Sequence, residues 1–194
     1  MMDERVKTLA KSLVHYSTRL KAGEKVLIDT TIGDMSLARA LVDEAFAAGA
    51  IPFVNFMDNT ILRKLLQQPS REMWQARAKV DAEFMEMMDA YIAVRGHENV
   101  TELSDVPAQA MKHYQMEWLQ PVHMEIRVPK KKWVVLRWPS PLLPRVPACP
   151  LKHLRIFIFR YVTWIIQKCP GPWTPWSPGW KTLTRCISPV PVPT

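Results

Sequence analysis

Apolar residues recur at helical spacing from Asp3 to Leu20. Val6, Leu9, Leu13, Val14 and Leu20 share one face, with Lys7, Lys11 and Arg19 turned outward. Lys21-Ala22-Gly23 is expected to end this helix. Lys25-Val26-Leu27-Ile28-Asp29 is a short apolar run between turn residues, which predicts a buried strand. A helix follows to about Ala48, with Asp34 or Ser36 as its cap and Gly49 as its stop. Ile51-Pro52-Phe53-Val54-Asn55-Phe56 reads as a second strand, with Pro52 near its start, where a missing N–H is tolerable. Helical patterns cover Thr60–Gln67 and Arg71–Met88, separated by Pro69. Ala90-Tyr91-Ile92-Ala93-Val94 is a third strand. Pro107 to about Glu125 is a long helix, expected to be interrupted or kinked at Pro121. Lys132-Trp133-Val134-Val135-Leu136-Arg137-Trp138 is a fourth strand. Strands separated by helices imply an α/β fold, with a mostly parallel sheet flanked by helices on both faces and right-handed crossovers.

This pattern stops near Leu142, and composition changes at the same place. Residues 1–141 hold 19 Lys+Arg and 18 Asp+Glu, whereas residues 142–194 hold seven Lys+Arg and no acid. The net charge of +8 therefore belongs almost wholly to the tail. Ten of the 17 prolines, four of the eight tryptophans and all three cysteines also lie there. Leu151–Gln167 is too short and too basic for a membrane span, and reads better as an amphipathic surface helix. Pro170–Trp180 has the prolines of a linker but too many tryptophans for one. Cys149, Cys169 and Cys186 match no zinc spacing. The body has no cysteine, and the chain opens without the apolar core of a signal peptide. A cytoplasmic protein without a membrane or nucleic-acid partner is the expectation.

Candidate chemistry in the body is sparse. His97-Glu98 and His123-Met124-Glu125 place imidazole beside carboxylate, but neither has HExxH spacing, so solvated or capping roles are favoured. His15 reads as a packed or boundary residue, and His113 as exposed. Gly23 and Gly33 flank the first strand. Gly33-Asp34-Met35-Ser36 opens a helix whose N–H groups could meet an anion. Without GxGxxG a simple βα turn is the better reading. Lys130-Lys131-Lys132 with Arg127 is a basic cluster, more often a solvated turn than a phosphate site. Met85, Met87 and Met88 beside Phe84 read as core or interface filler.

Four stretches occur in the order of a known family: LAKSLVHYSTRLKAGEKVLIDT, ALVDEAFAAGAIPFV, DAYIAVRGHENVTELSDVP and KKWVVLRWPSP. Over residues 3–141 the chain resembles the thermophilic-type metallo-aminopeptidases, dimeric two-metal leucyl-type enzymes of bacteria. The resemblance implies peptide substrates, a homodimer and two divalent metal ions (zinc, cobalt or magnesium type) in intact relatives. The metals would activate a water while a carboxylate acts as general base. It also implies that the metal ligands come from the C-terminal half of the family. No catalytic, cofactor-binding or metal residue is therefore carried over to this chain.

In that family WVVLRWPSP continues with a sequence like MAQSAGMSTEAFEDFYF; here Leu142-Leu143-Pro144-Arg145 follows. The genetic code accounts for the departure. Take each tail residue's first two bases as the last two of a codon, led by the wobble base of the residue before. Cys149 to Phe159, with the wobble base of Ala148 and synonyms chosen to fit, then reads MSTEAFEDFYF. Arg185–Thr194 likewise yields VHITGPGTD. Only about one base in three is free in this reading, so residues 142–194 are read as a frame-shifted tail. The expectation is a truncated family member without activity. The alternative is a non-catalytic α/β interaction or dimerisation module.

Overall fold

Four six-residue strands form one sheet: β1 (Lys25–Thr30), β2 (Ile51–Phe56), β3 (Ala90–Arg95) and β4 (Lys132–Arg137). Their order is β2-β1-β3-β4, and every pairing is parallel. The computed structural model describes residues 3–31, 35–68, 70–96 and 101–138. Gly33, Asp34, Pro69, His97-Glu98 and the tail with its cysteines lie outside the described residues.

The central strands β1 and β3 are covered on both faces, which is why they read as unbroken apolar runs. The edge strand β4 alternates between sheltered and exposed positions, and β2 does so from Phe53 to Phe56. Pro52 sits on edge strand β2, which pairs only with β1, so it removes little from the ladder.

Helix α1 (Glu4–Lys11) and helix α2 (Ser36–Ala47) cover one face. There Leu9, Leu13, Leu37, Leu41 and Ala45 pack on Val26, Ile28 and Ile92. Burying each large aliphatic side chain in this layer contributes about 1.5–3 kcal/mol. The opposite face carries α3 (Asn59–Leu66), α4 (Arg71–Glu86) and the last helix. There Met85, Met88 and Ile126 pack on Leu27, Tyr91 and Ala93. The step from β1 to β2 crosses one face. The steps from β2 to β3 and on to β4 run the other way across the opposite face, so all crossovers share one hand. The strand order reverses between β1 and β3, at whose carboxyl ends doubly wound sheets form a crevice.

Local chemistry sets the helix ends. The Asp3 carboxylate accepts from the Arg5 N–H at 2.9 Å, and Asp58 accepts from the Thr60 N–H at 2.7 Å. Ser70 Oγ accepts from the Met73 N–H at 3.2 Å. Met35, rather than Ser36, takes the cap position of α2. Gly49, at φ +73°, closes α2 as expected, and the Ala50 N–H reaches back to the Ala45 carbonyl at 2.9 Å.

Two expectations are corrected. The first helix stops before Lys21. After Lys11 it widens to i→i+5 hydrogen bonding over Ser12–Ser17, and Arg19 makes the reversal at φ +47°. The Leu20 N–H donates to the Val14 carbonyl at 3.0 Å, so this non-glycine residue does the work of a C-terminal glycine. Gly23, at φ +83°, serves the following turn into β1. The last helix also runs on through Pro121. It begins as α5 (Ala108–His113), winds with i→i+5 bonds over Tyr114–Arg127, and closes with an α turn at Val128–Lys130. Among the described residues no helix is long and apolar enough to cross a membrane.

Candidate binding site at the strand ends

Both central strands end their apolar runs on a charge, Asp29 on β1 and Arg95 on β3. The pleat turns Asp29, Asn55, Tyr91 and Arg95 to the α4 face. Asp29 Oδ2 accepts from the Tyr91 hydroxyl at 2.6 Å and from Arg95 Nη2 at 2.8 Å. Asp29 Oδ1 accepts from Asn55 Nδ2 at 3.1 Å. Arg95 Nη2 also donates to the Tyr91 oxygen at 2.5 Å. A buried carboxylate needs such partners to offset its desolvation. Burial, with the Asp29 charge added, pushes the Tyr91 phenol well above its ordinary pKa. Burial alone would lower the Arg95 pKa, but Asp29 overcomes it and the value rises.

This cluster floors a cavity of about 530 Å³. Helices α3 and α4, the turn at 101–106 and the last helix supply its walls. Arg63 ties α3 to that turn, with its Nε on Asp105 at 2.8 Å and Nη1 3.5 Å from Glu102. One wall is aromatic. The Trp74 and Tyr114 rings meet edge to face at 4.9 Å, and Tyr114 stacks on Trp118 at 5.2 Å. Trp118 Nε1 and Arg77 Nε each donate to Asp81 Oδ2 at 2.7 Å. The Arg127 guanidinium lies 3.9 Å from the Tyr91 ring centroid, a cation–π contact. Its Nη1 is 3.4 Å from His123 Nδ1. Burial first, then the charges of Arg127 and Arg95, holds the His123 pKa below its ordinary value. The arrangement can bind and orient a ligand. The Tyr91 hydroxyl is held by the Asp29 carboxylate, but burial keeps that phenol protonated, and no serine or cysteine among the described residues lines the cavity.

The structure separates most of the residues singled out by sequence. His123 faces the cavity, while Met124 and Glu125 are exposed beside it, so the His–Glu neighbours do not converge. His15 is exposed, with Nε2 2.7 Å from Glu44 Oε1, which bridges the first two helices. His113 is half-buried rather than exposed, and its Nδ1 has no hydrogen-bond partner among the described residues. The basic cluster comes apart. Lys130 pairs with Glu86 at 2.7 Å, Lys131 donates to the Glu86 carbonyl at 2.8 Å, and Lys132 pairs with Glu24 at 2.6 Å. Arg127 alone turns inward. Met85 and Met88 are core, while Met87 is exposed.

Asp29, Tyr91, Arg95 and Arg127 as a site were missed from sequence. A charge at the carboxyl end of each buried strand was the available signal. Among the described residues, no three His, Cys, Asp or Glu side chains gather as a metal would need. Asp29 is committed to three donors and His123 stands between two arginines, so neither suits a divalent cation. The described residues do not fit the family's metals.

The model of the family described as "Thermophilic metalloprotease (M29)" matches residues 2–162. Among solved structures, wild-type AmpT from Thermus thermophilus superposes with a TM-score of 0.60 at 18% identity, covering 96% of this chain and 47% of that one. A LacI-family putative transcription regulation repressor from Corynebacterium glutamicum gives a TM-score of 0.36 at 16% identity, covering 84% of this chain and 56% of that one. No curated protein sequence matches. The chain spans about half the length of AmpT, with which it shares its fold. With a match over residues 2–162 of 194, this chain belongs to the thermophilic metalloprotease (M29) family.

Proposed function

We propose that this chain is the amino-terminal α/β part of a metal-dependent aminopeptidase, and that alone it does not hydrolyse peptides. The observation that carries the reading is the break after Leu142. From there the chain loses every acidic residue, and codons able to encode it, with synonyms chosen to fit and read one base out of register, spell a continuation like the family's. In this reading residues 142–194 are a frame-shifted product, and the half of the family that holds two divalent metals is not encoded in frame. The family match continues to residue 162, some way into the same tail. Intact relatives would remove N-terminal residues from peptides as cytoplasmic homodimers. The ion-paired lysines at 130–132 support the absence of a nucleic-acid partner.

Two measurements test this. The purified 194-residue chain, supplied with zinc or cobalt, is expected to release no leucine from leucyl p-nitroanilide. Metal-dependent turnover abolished by a chelator would overturn the assignment. Sequencing the gene across codons 139–146 is expected to show an insertion or deletion relative to intact relatives. An uninterrupted family frame there would remove the basis for the shift.

A further inference from the structure

Beside the cavity above Tyr91, two buried hydrogen-bond donors have no acceptor among the described residues. Arg127 is 6% exposed and Trp74 4% exposed, and both line the cavity. Neither Arg127 Nε nor Trp74 Nε1 has an acceptor among the described residues. No described carboxylate forms an ion pair with Arg127; its neighbours are the Tyr91 ring and His123. The nearby acids are already engaged: Asp29 with Tyr91, Arg95 and Asn55, and Asp81 with Arg77 and Trp118. Burying an uncompensated charge costs several kcal/mol, and leaving a buried donor unpaired adds to it. An oxyanion entering the cavity beside Arg127 would supply the missing counter-charge.

The shape of the site narrows the class of anion. A guanidinium fork matches a carboxylate in the plane of its two oxygens. Trp74, Tyr114 and Trp118 present ring faces and edges to the same space, which suits a flat apolar body. A volume near 530 Å³ is in the range of small-molecule sites. The sequence has no GxGxxG or other glycine-rich motif of the kind that cradles phosphate.

We propose that this cavity is a binding site for a small carboxylate with an aromatic body, its carboxylate on Arg127 and its ring against the Trp74–Tyr114–Trp118 wall. The site stands apart from the peptidase reading, since it uses no metal and no residue outside the described body.

The test is calorimetric titration of 3-phenylpropionate into the full 194-residue chain, with 3-phenylpropanamide as its uncharged match. N-acetylphenylalanine is a third arm, presenting the same carboxylate as a peptide terminus. One or both acids are expected to bind at least tenfold more tightly than the amide, and Arg127→Gln to weaken that binding at least tenfold. Arg127 is buried, so Arg127→Lys serves as a second variant: it keeps the positive charge and removes the planar fork. It should weaken the acid about three- to tenfold and narrow its margin over the amide. Equal affinities for acid and amide, no heat from either acid at millimolar concentration, or unchanged acid binding in both variants would overturn the proposal. So would displacement of the acid by an equal concentration of inorganic phosphate.

Discussion

Replacing Asp29 with alanine leaves three donors facing an empty position: the Tyr91 hydroxyl, the Arg95 guanidinium and the Asn55 amide. Breaking one side of a buried ion pair costs about 3–5 kcal/mol, because the remaining charge stays desolvated. The Arg95 side chain keeps 30% of its surface and can turn partly to water, which favours the lower end. The two neutral donors each forfeit about 1 kcal/mol of net hydrogen bonding. Asp29→Ala should therefore lose about 5 kcal/mol, a large share of the roughly 5–15 kcal/mol that holds a domain together. Urea unfolding followed by both far-ultraviolet circular dichroism and tryptophan fluorescence measures this, provided the two transitions coincide. If the cause is the stranded guanidinium, Arg95→Met in the same chain should recover at least about 1 kcal/mol of the loss. A loss under about 1 kcal/mol for Asp29→Ala, or strict additivity of the two substitutions, would refute the reasoning.

Two further expectations rest on single residues. His123 is depressed in the folded chain by burial and by Arg127 and Arg95, so the unfolded chain binds its proton more readily. Its contribution is full above the ordinary value of 6.5 and is lost as pH falls through the lower folded value. The urea midpoint should drop between pH 7 and pH 5, and His123→Gln should flatten that interval. An unchanged slope in the variant would count against the assignment. Gly49→Ala combines a left-handed backbone at φ +73° with a new Cβ 3.1 Å from Ala22 Cβ, and should cost about 1–2 kcal/mol. Gly23→Ala at φ +83° meets no atom within 4 Å and should cost about 1 kcal/mol, from backbone strain alone. Equal midpoint shifts in the two variants would show that the Ala22 contact contributes nothing.

The sheet was legible because its strands are punctuated. Lys25–Asp29, Ile51–Phe56 and Ala90–Val94 are short apolar runs between turns, and β1, β2 and β3 each fall within a residue of the expected end. Gly49 announced the end of α2 because no other residue type takes its backbone angle cheaply. The end of the first helix was misplaced because Arg19, which carries no such signature, adopts the left-handed turn. The site was less legible. Asp29 and Arg95 are far apart in sequence and meet only through the register of adjacent parallel strands. Lys130, Lys131 and Lys132 stand beside Arg127 in sequence and suggested one basic patch. Glu86 and Glu24, distant along the chain, take up the lysines and leave Arg127 to the interior.

The wide winding of Tyr114–Arg127 bears on that last point through angular phase. An α-helix turns about 100° per residue, so His123 would point roughly 180° away from Tyr114, and Arg127 roughly 140° away. With i→i+5 bonding the turn is roughly 82° per residue, which brings both within about 20° of Tyr114. The cavity-facing row of Tyr114, Trp118, His123 and Arg127 thus exists at one pitch and is scattered at the other. Rewinding this segment to the tighter pitch would carry the buried cation and its histidine to the far side while the aromatic end stayed in place. Because β4 begins at Lys132, two residues after the helix ends at Lys130, the winding of this segment and the placing of the edge strand are set together.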